Sequence, residues 1–494
     1  MNYKAVLRII SKIILAEGLM LLLPSLTALI YGEKNALLAF LVTAIIAAAL
    51  GGIPTFFLRK NKKNTIYAKE GFVIVAASWI LLSAIGAVPF VISGDIPNYI
   101  DAFFETASGF TTTGASILDN VEALTKAALF WRSFTHWVGG MGVLVFIMAL
   151  IPNFSDRSIH IMRAEMTGPV IGKLVPKAKE SAKILYMMYF VLTAVEVVAL
   201  KFSGMTFFDS LLHSFGTAGT GGFGLMNDSL GGYNAVSQWI ITIFMFLFGI
   251  NFSLYYLIIL KDFTSIKKNT ELRVYFIVVA AATLIITLNT RSFYGTIGET
   301  VRHATFQVSS FVTTTGYGTT DFNSWPALSK AILLLLMFSG GCAGSTAGGM
   351  KVSRAIMLFK ATGREVKKML HPKSINSVRM DGKTVEDKTI SAVTVYFSGY
   401  MIAILLVFLL ISVDNMPLET NFSAAVSCFN NIGPAFGISS FSAYSPFSKV
   451  VCSVAMIAGR LELFPLLIAV APSTWNVNLR QLSRKKINKK DDEI

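Results

Sequence analysis

Apolar positions run along this chain in long blocks that end at basic clusters, and the blocks recur in a fixed order. The first two, 13–31 and 36–58, are separated by Gly32-Glu33-Lys34-Asn35 and close on Arg59-Lys60-Asn61-Lys62-Lys63. Each reaches the roughly 20 residues that a helix needs to cross a bilayer, so together they predict an out-and-back hairpin. One pattern then occurs four times: an apolar span, a short amphipathic segment, a Gly/Thr-rich stretch, and a second apolar span. The spans and short segments fall at 72–92, 101–110 and 128–151; at 184–203, 207–216 and 236–260; at 274–290, 298–311 and an interrupted 327–360; and at 389–412, 420–429 and 447–471. The Gly/Thr-rich stretches are Thr112-Thr113-Gly114-Ala115-Ser116, Thr220-Gly221-Gly222-Phe223-Gly224, Thr314-Thr315-Gly316-Tyr317-Gly318 and Asn431-Ile432-Gly433-Pro434-Ala435. Repetition at this scale sets the architecture.

A short segment of about 10 residues rises only about 15 Å as a helix, half of a hydrocarbon core of about 30 Å. Basic loops occupy the far ends of both flanking spans, so the short helix must dip in and return. Such re-entrant backbone is tolerated where it is buried in protein or lines a water-filled cavity. Its C-terminal end, with partial negative charge, then points toward the centre. The predicted fold is an all-α polytopic membrane protein: four helix–re-entrant loop–helix repeats with pseudo-fourfold symmetry around one pore, plus the N-terminal hairpin. The divisions are 1–63 for the hairpin, 64–160, 161–262 and 263–375 for the first three repeats, and 376–494 for the fourth with a basic tail. An intramembrane loop, 339–350, interrupts the third.

Composition agrees with a membrane chain. Of 494 residues 54% are hydrophobic and 14% charged, against about 25% charged in an ordinary soluble domain. The first apolar run is too long for a signal peptide and has no small-residue cleavage site, so it reads as a true span. The net charge of +15 would suit nucleic acid if it were spread over a surface, but its placement follows topology instead. The N-terminal arm (Lys4, Arg8, Lys12) and segments 59–63, 157–183, 261–273, 360–388 and 480–490 hold 31 of the 43 Lys and Arg. By the positive-inside rule these segments, with both termini, face the cytoplasm, and no nucleic-acid partner is expected. The opposite connections carry Glu33, Asp95, Asp119, Asp228, Asp321 and Asp414, either as a cation-attracting vestibule or because acids have no inside bias. Cys342, Cys428 and Cys452 are far apart in sequence and the five histidines are scattered, which indicates neither zinc nor a disulfide framework. No catalytic constellation is present, so an enzyme is not expected.

The third Gly/Thr stretch differs by one residue from the Thr-Val-Gly-Tyr-Gly filter of potassium channels, in which backbone carbonyls replace the hydration shell of the ion. Four units in one chain supply the four strands such a filter requires. The expected ligands of a permeant potassium ion are the backbone carbonyls of Thr112, Thr113, Gly114, Thr220, Gly221, Gly222, Thr314, Thr315, Gly316, Asn431, Ile432 and Gly433. No organic cofactor is expected on this chain. Only the third copy keeps the closing Tyr-Gly, which predicts a shorter filter, less selective between potassium and rubidium. In the interrupted span, Gly340, Gly341, Gly344, Gly348 and Gly349 fall within eleven residues. Each costs about 1 kcal/mol in a helix, so the stretch should unwind on the cytoplasmic side of the filter and act as a gate; Lys351 either takes part in it or simply ends the loop at the cytoplasmic interface.

These stretches resemble the TrkH/TrkG/KtrB superfamily of potassium uptake proteins, above all its TrkH branch. The resemblance rests on Phe104–Gly114, Ser214–Gly224, the third filter copy, Phe429–Pro434, Gly340–Lys351 and Gly459-Arg460-Leu461-Glu462; the two extra N-terminal spans favour TrkH. It implies potassium uptake across a bacterial inner membrane by a homodimer with one pore per subunit. It also implies a TrkA-like cytosolic ring of nucleotide-binding regulatory subunits. Arg460, a charge within a span, would face the pore below the filter and bond the loop's carbonyls; a local pair with Glu462 or Glu196 is the other reading. Asp101, Glu105, Asp209, Glu299 and Glu419 would cap the short helices or attract cations, with Arg132 and His136 as possible partners. The alternative function is potassium symport coupled to protons or sodium, for which Glu17 and Glu196 are the intramembrane carboxylates.

Overall fold

A computed structural model of the chain describes residues 1–58, 68–142, 178–374 and 376–475. The basic runs at 59–63 and 480–490, most of that at 157–183, the end of the span expected at 128–151, and the boundaries at 63/64 and 160/161 lie outside the described residues. Within the described residues the regular secondary structure is helical but for a small antiparallel ribbon, Arg379–Met380 with Lys383–Thr384, and one isolated bridge. Six of the described helices are long and apolar enough to cross a membrane: Tyr3–Tyr31, Lys34–Phe57, Lys69–Ser93, Lys183–Phe202, Thr270–Phe293 and Asp387–Asp414.

The first span starts ten residues earlier than its apolar run. The Asn2 side chain accepts from the Ala5 amide and starts a helix at Tyr3, so Lys4, Arg8 and Lys12 belong to the helix and form no separate arm. Its break between Met20 and Leu22 lies one turn before Pro24, whose ring crowds the carbonyl four residues back. The hairpin packs through small residues: Gly18 lies against Ala44 and Ala47, and Gly51 against the backbone of Ser11 and Leu15. It is joined to the first repeat by Glu33, which accepts from the Lys126 (2.7 Å) and Ala127 (3.1 Å) amides. A carboxylate is favourable there, at the positive end of a helix.

The first span of the second repeat shows how such a helix meets lipid. Along Ala178–Phe202 the exposed residues include Met187, Phe190, Val191, Val195, Val198 and Phe202, a helical stripe of large apolar side chains. The buried stripe carries Leu185, Met188, Tyr189, Thr193, Glu196 and Leu200. Polar groups are thus inside and apolar ones outside, the arrangement a bilayer favours.

The four short helices are Tyr99–Phe110, Phe207–Gly219, Ile297–Val312 and Leu418–Asn430. Acids in their first turns (Asp101, Asp209, Glu299, Glu419) suit the helix dipole. The helices after them are Lys126–Gly140, Ala235–Phe248, Ala327–Ser339 and Pro446–Arg460. They are 15, 14, 13 and 15 residues long, too short to cross alone. The continuous spans expected at 236–260 and 447–471 are therefore broken ones: Ala235–Phe248 meets Phe252–Ile259 at 90°, and Pro446–Arg460 meets Phe464–Val470 at 116°. Only the break in the third repeat was legible as a glycine-rich interruption.

Candidate functional site

Each short helix ends in the same backbone device. A main-chain amide just past the helix bonds back five residues: Thr113 to Ser108 (2.8 Å), Gly221 to Gly216 (2.8 Å), Thr315 to Ser310 (2.8 Å) and Ile432 to Ser427 (3.1 Å). The residue before that amide is left-handed in every copy, with φ of 56° at Thr112, 55° at Thr220, 55° at Thr314 and 58° at Asn431. The residue after it is a glycine with positive φ: 78° at Gly114, 72° at Gly222, 85° at Gly316 and 105° at Gly433. Alternating handedness turns successive carbonyls toward one side of a strand. Threonine and asparagine carry the left-handed strain at the first position; glycine takes it freely at the third.

The four strands close a ring. A Cβ on Gly114 would overlap the Gly221 carbonyl oxygen, one on Gly222 that of Thr315, and one on Gly316 that of Ile432. One on Gly433 would stand 2.7 Å from the Thr113 oxygen, which returns to the first strand. The carbonyls of Thr113, Gly221, Thr315 and Ile432 thus sit at one level, each against a neighbouring strand's glycine. All twelve expected ligand residues lie in these strands. A cavity of about 160 Å³ adjoins the ring and is lined by all four glycines, Asp119 and Arg132 among others.

Side chains behind the ring hold it. Thr113 and Thr315 bond to Thr111 and Thr313, each at 2.8 Å. Asn431 donates to Thr113 (3.0 Å) and to the Met456 carbonyl (2.9 Å). Tyr317 is buried; its hydroxyl donates to the His213 carbonyl at 3.1 Å and occupies the notch left by Gly216. The expected partnership of Arg132 is with Glu105, at 2.8 Å. His136 makes no such pair and stacks on Phe223 with ring centroids 4.2 Å apart. Asp101 pairs with Lys449 at 2.7 Å, and Glu419 lies 3.7 Å from Lys330. Cys428 and Cys452, distant in sequence, are neighbours in space, and all three cysteines are buried thiols.

The interrupted span unwinds between Ser339 and Val352. Gly340, Gly344, Gly349 and Lys351 have positive φ, of 65°, 73°, 74° and 75°. The unwound backbone is satisfied from several directions. Cys342 donates to the Gly249 carbonyl (2.9 Å), and Phe252 donates to that of Gly344 (3.1 Å). Glu271 accepts from the Ala343 (2.8 Å) and Ser353 (2.9 Å) amides. The Gly348 amide donates to the hydroxyl of Thr314 at 2.6 Å, so the loop touches the third strand of the ring. Gly348 also lies against the Asn430 carbonyl, and Gly341 beside Ala347. Lys351 is buried and reaches the Ala347 carbonyl, so it is part of the loop and does not end it at an aqueous interface. Arg460 donates to the carbonyls of Thr346 (3.0 Å), Gly139 (2.6 Å) and Gly140 (2.7 Å). The loop is thereby clamped to the first repeat, while Glu462 pairs with Arg354.

Sequence reasoning missed Glu271, Thr346 and the turn at Gly249-Ile250-Asn251. A Gly-x-Asn within an apolar run was the available signal, since the Asn251 side chain caps the next helix at Ser253 (2.8 Å). The break at Glu462-Leu463, both with positive φ, had only the charge and Pro465 to mark it.

A family model described as TrkH, cation transport protein, matches residues 36–479. Among curated relatives, the Trk system potassium uptake protein TrkH of Escherichia coli K12 is 34% identical over 486 residues, 96% of this chain and all of the relative. TrkG of the same organism is 33% identical, covering 93% of this chain and 96% of its own length. The crystal structure of the potassium transporter TrkH from Vibrio parahaemolyticus superposes with a TM-score of 0.86 at 32% identity, covering 96% of this chain and all of that one. The matched family is one of transporters and not of enzymes.

Proposed function

Because the chain belongs to the TrkH family of cation transport proteins, we propose that it takes up potassium across a bacterial plasma membrane through its own single-chain pore. The observation that carries this reading is the closed ring of four carbonyls, one from each repeat. Carbonyl oxygens offer partial charge without holding a monovalent ion too tightly, and the twelve residues of the four strands are its ligands. The loop at 339–350, with Gly340, Gly341, Gly344, Gly348, Gly349, Lys351 and Arg460, is the gate. Its contacts with Thr314 and with Arg460 support this reading.

Opening would be driven by a TrkA-like nucleotide-binding ring on the cytoplasmic face of a homodimer. The helix Val352–Leu370, which continues directly from the loop, supports this with Lys367 and Lys368 exposed in its last turn. Coupled symport remains the second reading on one observation: Glu17 and Glu196 are fully buried within spans. The test is ion flux from purified protein in liposomes, with potassium, proton and sodium gradients set independently. A reversal potential that follows potassium alone supports the pore. One that shifts with the proton or sodium gradient supports symport, and no potassium flux in either arrangement defeats both.

A further inference from the structure

The four repeats are built alike, yet one carries a buried ion pair where the others have none. Glu105 lies seven residues before the first left-handed filter residue, and its counterparts by that spacing are His213, Gln307 and Ala424. Arg132 is the seventh residue of the helix Lys126–Gly140; the seventh residues of the other three are Ile241, Leu333 and Cys452, all buried. The fold is therefore made three times without an ion pair at this place. Replacing a buried ion pair by apolar groups is often neutral or stabilising, so stability alone does not account for it.

The pair contacts the ends of the first two filter stretches. Glu105 accepts from the Ile117 amide (3.0 Å), from the Ser116 hydroxyl (2.9 Å) and from Arg132 Nε (2.8 Å). Arg132 crosses to the next strand: its guanidinium carbon lies 4.0 Å from the centre of the Phe223 ring and Nη1 is 3.4 Å from the Gly224 carbonyl. Phe223 also stacks with His136, whose ring stands directly behind Gly221. A continuous stack thus runs from the end of the first filter strand to the back of the second. The remaining junctions use neutral groups: Tyr317 between strands two and three, Pro434 against Gly316, and Asn431 on Thr113. Arg132 also lines the cavity beside the carbonyl ring, where a passing cation would feel any imbalance between the two charges.

From this geometry we infer that Glu105 and Arg132 are positioning residues for selectivity: they set the spacing of the first two filter strands and cancel each other's charge, which leaves Asp119 as the net charge lining the cavity. The inference rests on the carbonyl ring being the conducting filter. Strand spacing governs which ion fits, so breaking the pair lowers the potassium-to-sodium permeability ratio. Charge balance governs entry, so the two single changes act with opposite sign: E105Q leaves an uncompensated cation and weakens apparent potassium affinity, while R132Q leaves a carboxylate and strengthens it.

The test measures reversal potentials and concentration dependence in liposomes holding wild type, E105Q, R132Q, R132K and the neutral pair E105Q/R132L. The last copies the polar and apolar occupants of the third repeat, and its folding is checked by size exclusion and thermal melting. The expected fall in permeability ratio is roughly tenfold for the neutral pair, the scale of one buried charge-assisted hydrogen bond. R132K, which keeps the charge but loses the planar fork, should fall between. If wild type itself shows no potassium-selective flux, the pore reading fails and this one with it. If wild type is selective and the folded neutral pair is equally so, the positioning role alone is overturned. A shift of affinity in the same direction for both single variants defeats the charge-balance half.

Discussion

At the scale of single residues, the ring depends on backbone that only certain side chains permit. Gly316 has φ of 85° and faces the Ile432 carbonyl. Gly316→Ala adds about 1–2 kcal/mol of left-handed strain and pushes a methyl group onto that oxygen. Potassium flux in liposomes should be lost while the protein remains folded; flux at the wild-type level would remove Gly316 from the permeation path. Outside the membrane-spanning segments, Asp119 has a different role. The Ser440 and Ser442 hydroxyls donate to it and hold its carboxyl below the ordinary aspartate range. A depressed folded value means that the ionised form stabilises the link between the first and fourth repeats. That contribution is present at neutral pH and is lost as pH falls through the folded value, below about pH 4. Melting curves of wild type and Asp119→Asn should differ at pH 7 and converge toward low pH. A difference that is constant with pH would remove this link.

At the scale of elements, the second helix of every repeat stops after about four turns, and in the third repeat the segment beyond it lies against the carbonyl ring. In the third repeat that segment is the unwound loop, and Arg460 from the fourth holds it. Arg460→Gln removes hydrogen bonds from a charged donor, each worth about 1.5–3 kcal/mol. Gly348→Ala places a methyl group on the Asn430 carbonyl and drives the loop off the filter. Both changes should raise basal flux by about tenfold or more, the equivalent of at least about 1.4 kcal/mol, measured without any partner subunit. Unchanged flux in both would mean that the loop does not obstruct the pore. The break in the third repeat was readable in the sequence because five glycines make a helix costly. The breaks at Gly249 and Glu462 left fainter marks, a Gly-x-Asn and a charge before Pro465, because an apolar run with one glycine or one charge still satisfies the length rule for a span. What stops those helices is tertiary: Gly249 accepts from Cys342 of the loop, and Glu462 reaches Arg354.

At the scale of the whole molecule, the outward faces are apolar and the polar groups converge inward. Ile402, near the middle of Asp387–Ile411, is exposed on that outward face. Ile402→Arg should cost about 2.5–3.5 kcal/mol on an insertion scale and reduce the amount of protein recovered from membranes. The nearby buried position Tyr400, which donates to Asn430 at 2.6 Å behind the fourth filter strand, should respond differently. Tyr400→Phe leaves insertion intact and alters flux. Equal membrane yields for Ile402→Arg and wild type would place that face against protein and not lipid.

The amino-acid sequence determined whatever depends on a residue and its near neighbours. Apolar length located the spans, though not the breaks within two of them, and the short amphipathic stretches form the four short helices. Glycine at the third position of each filter copy was readable because left-handed backbone is a local steric matter. Tertiary structure alone decided which residues meet across the repeats. Asn431 reaches Thr113 across 318 positions, and Arg460 reaches Gly139 across 321. Arg132 could have paired with any of several acids until the packing of two helices put Glu105 beside it. Those contacts depend on how four units close around one axis, and the free energy of closure belongs to the assembled ring and not to any single stretch of chain.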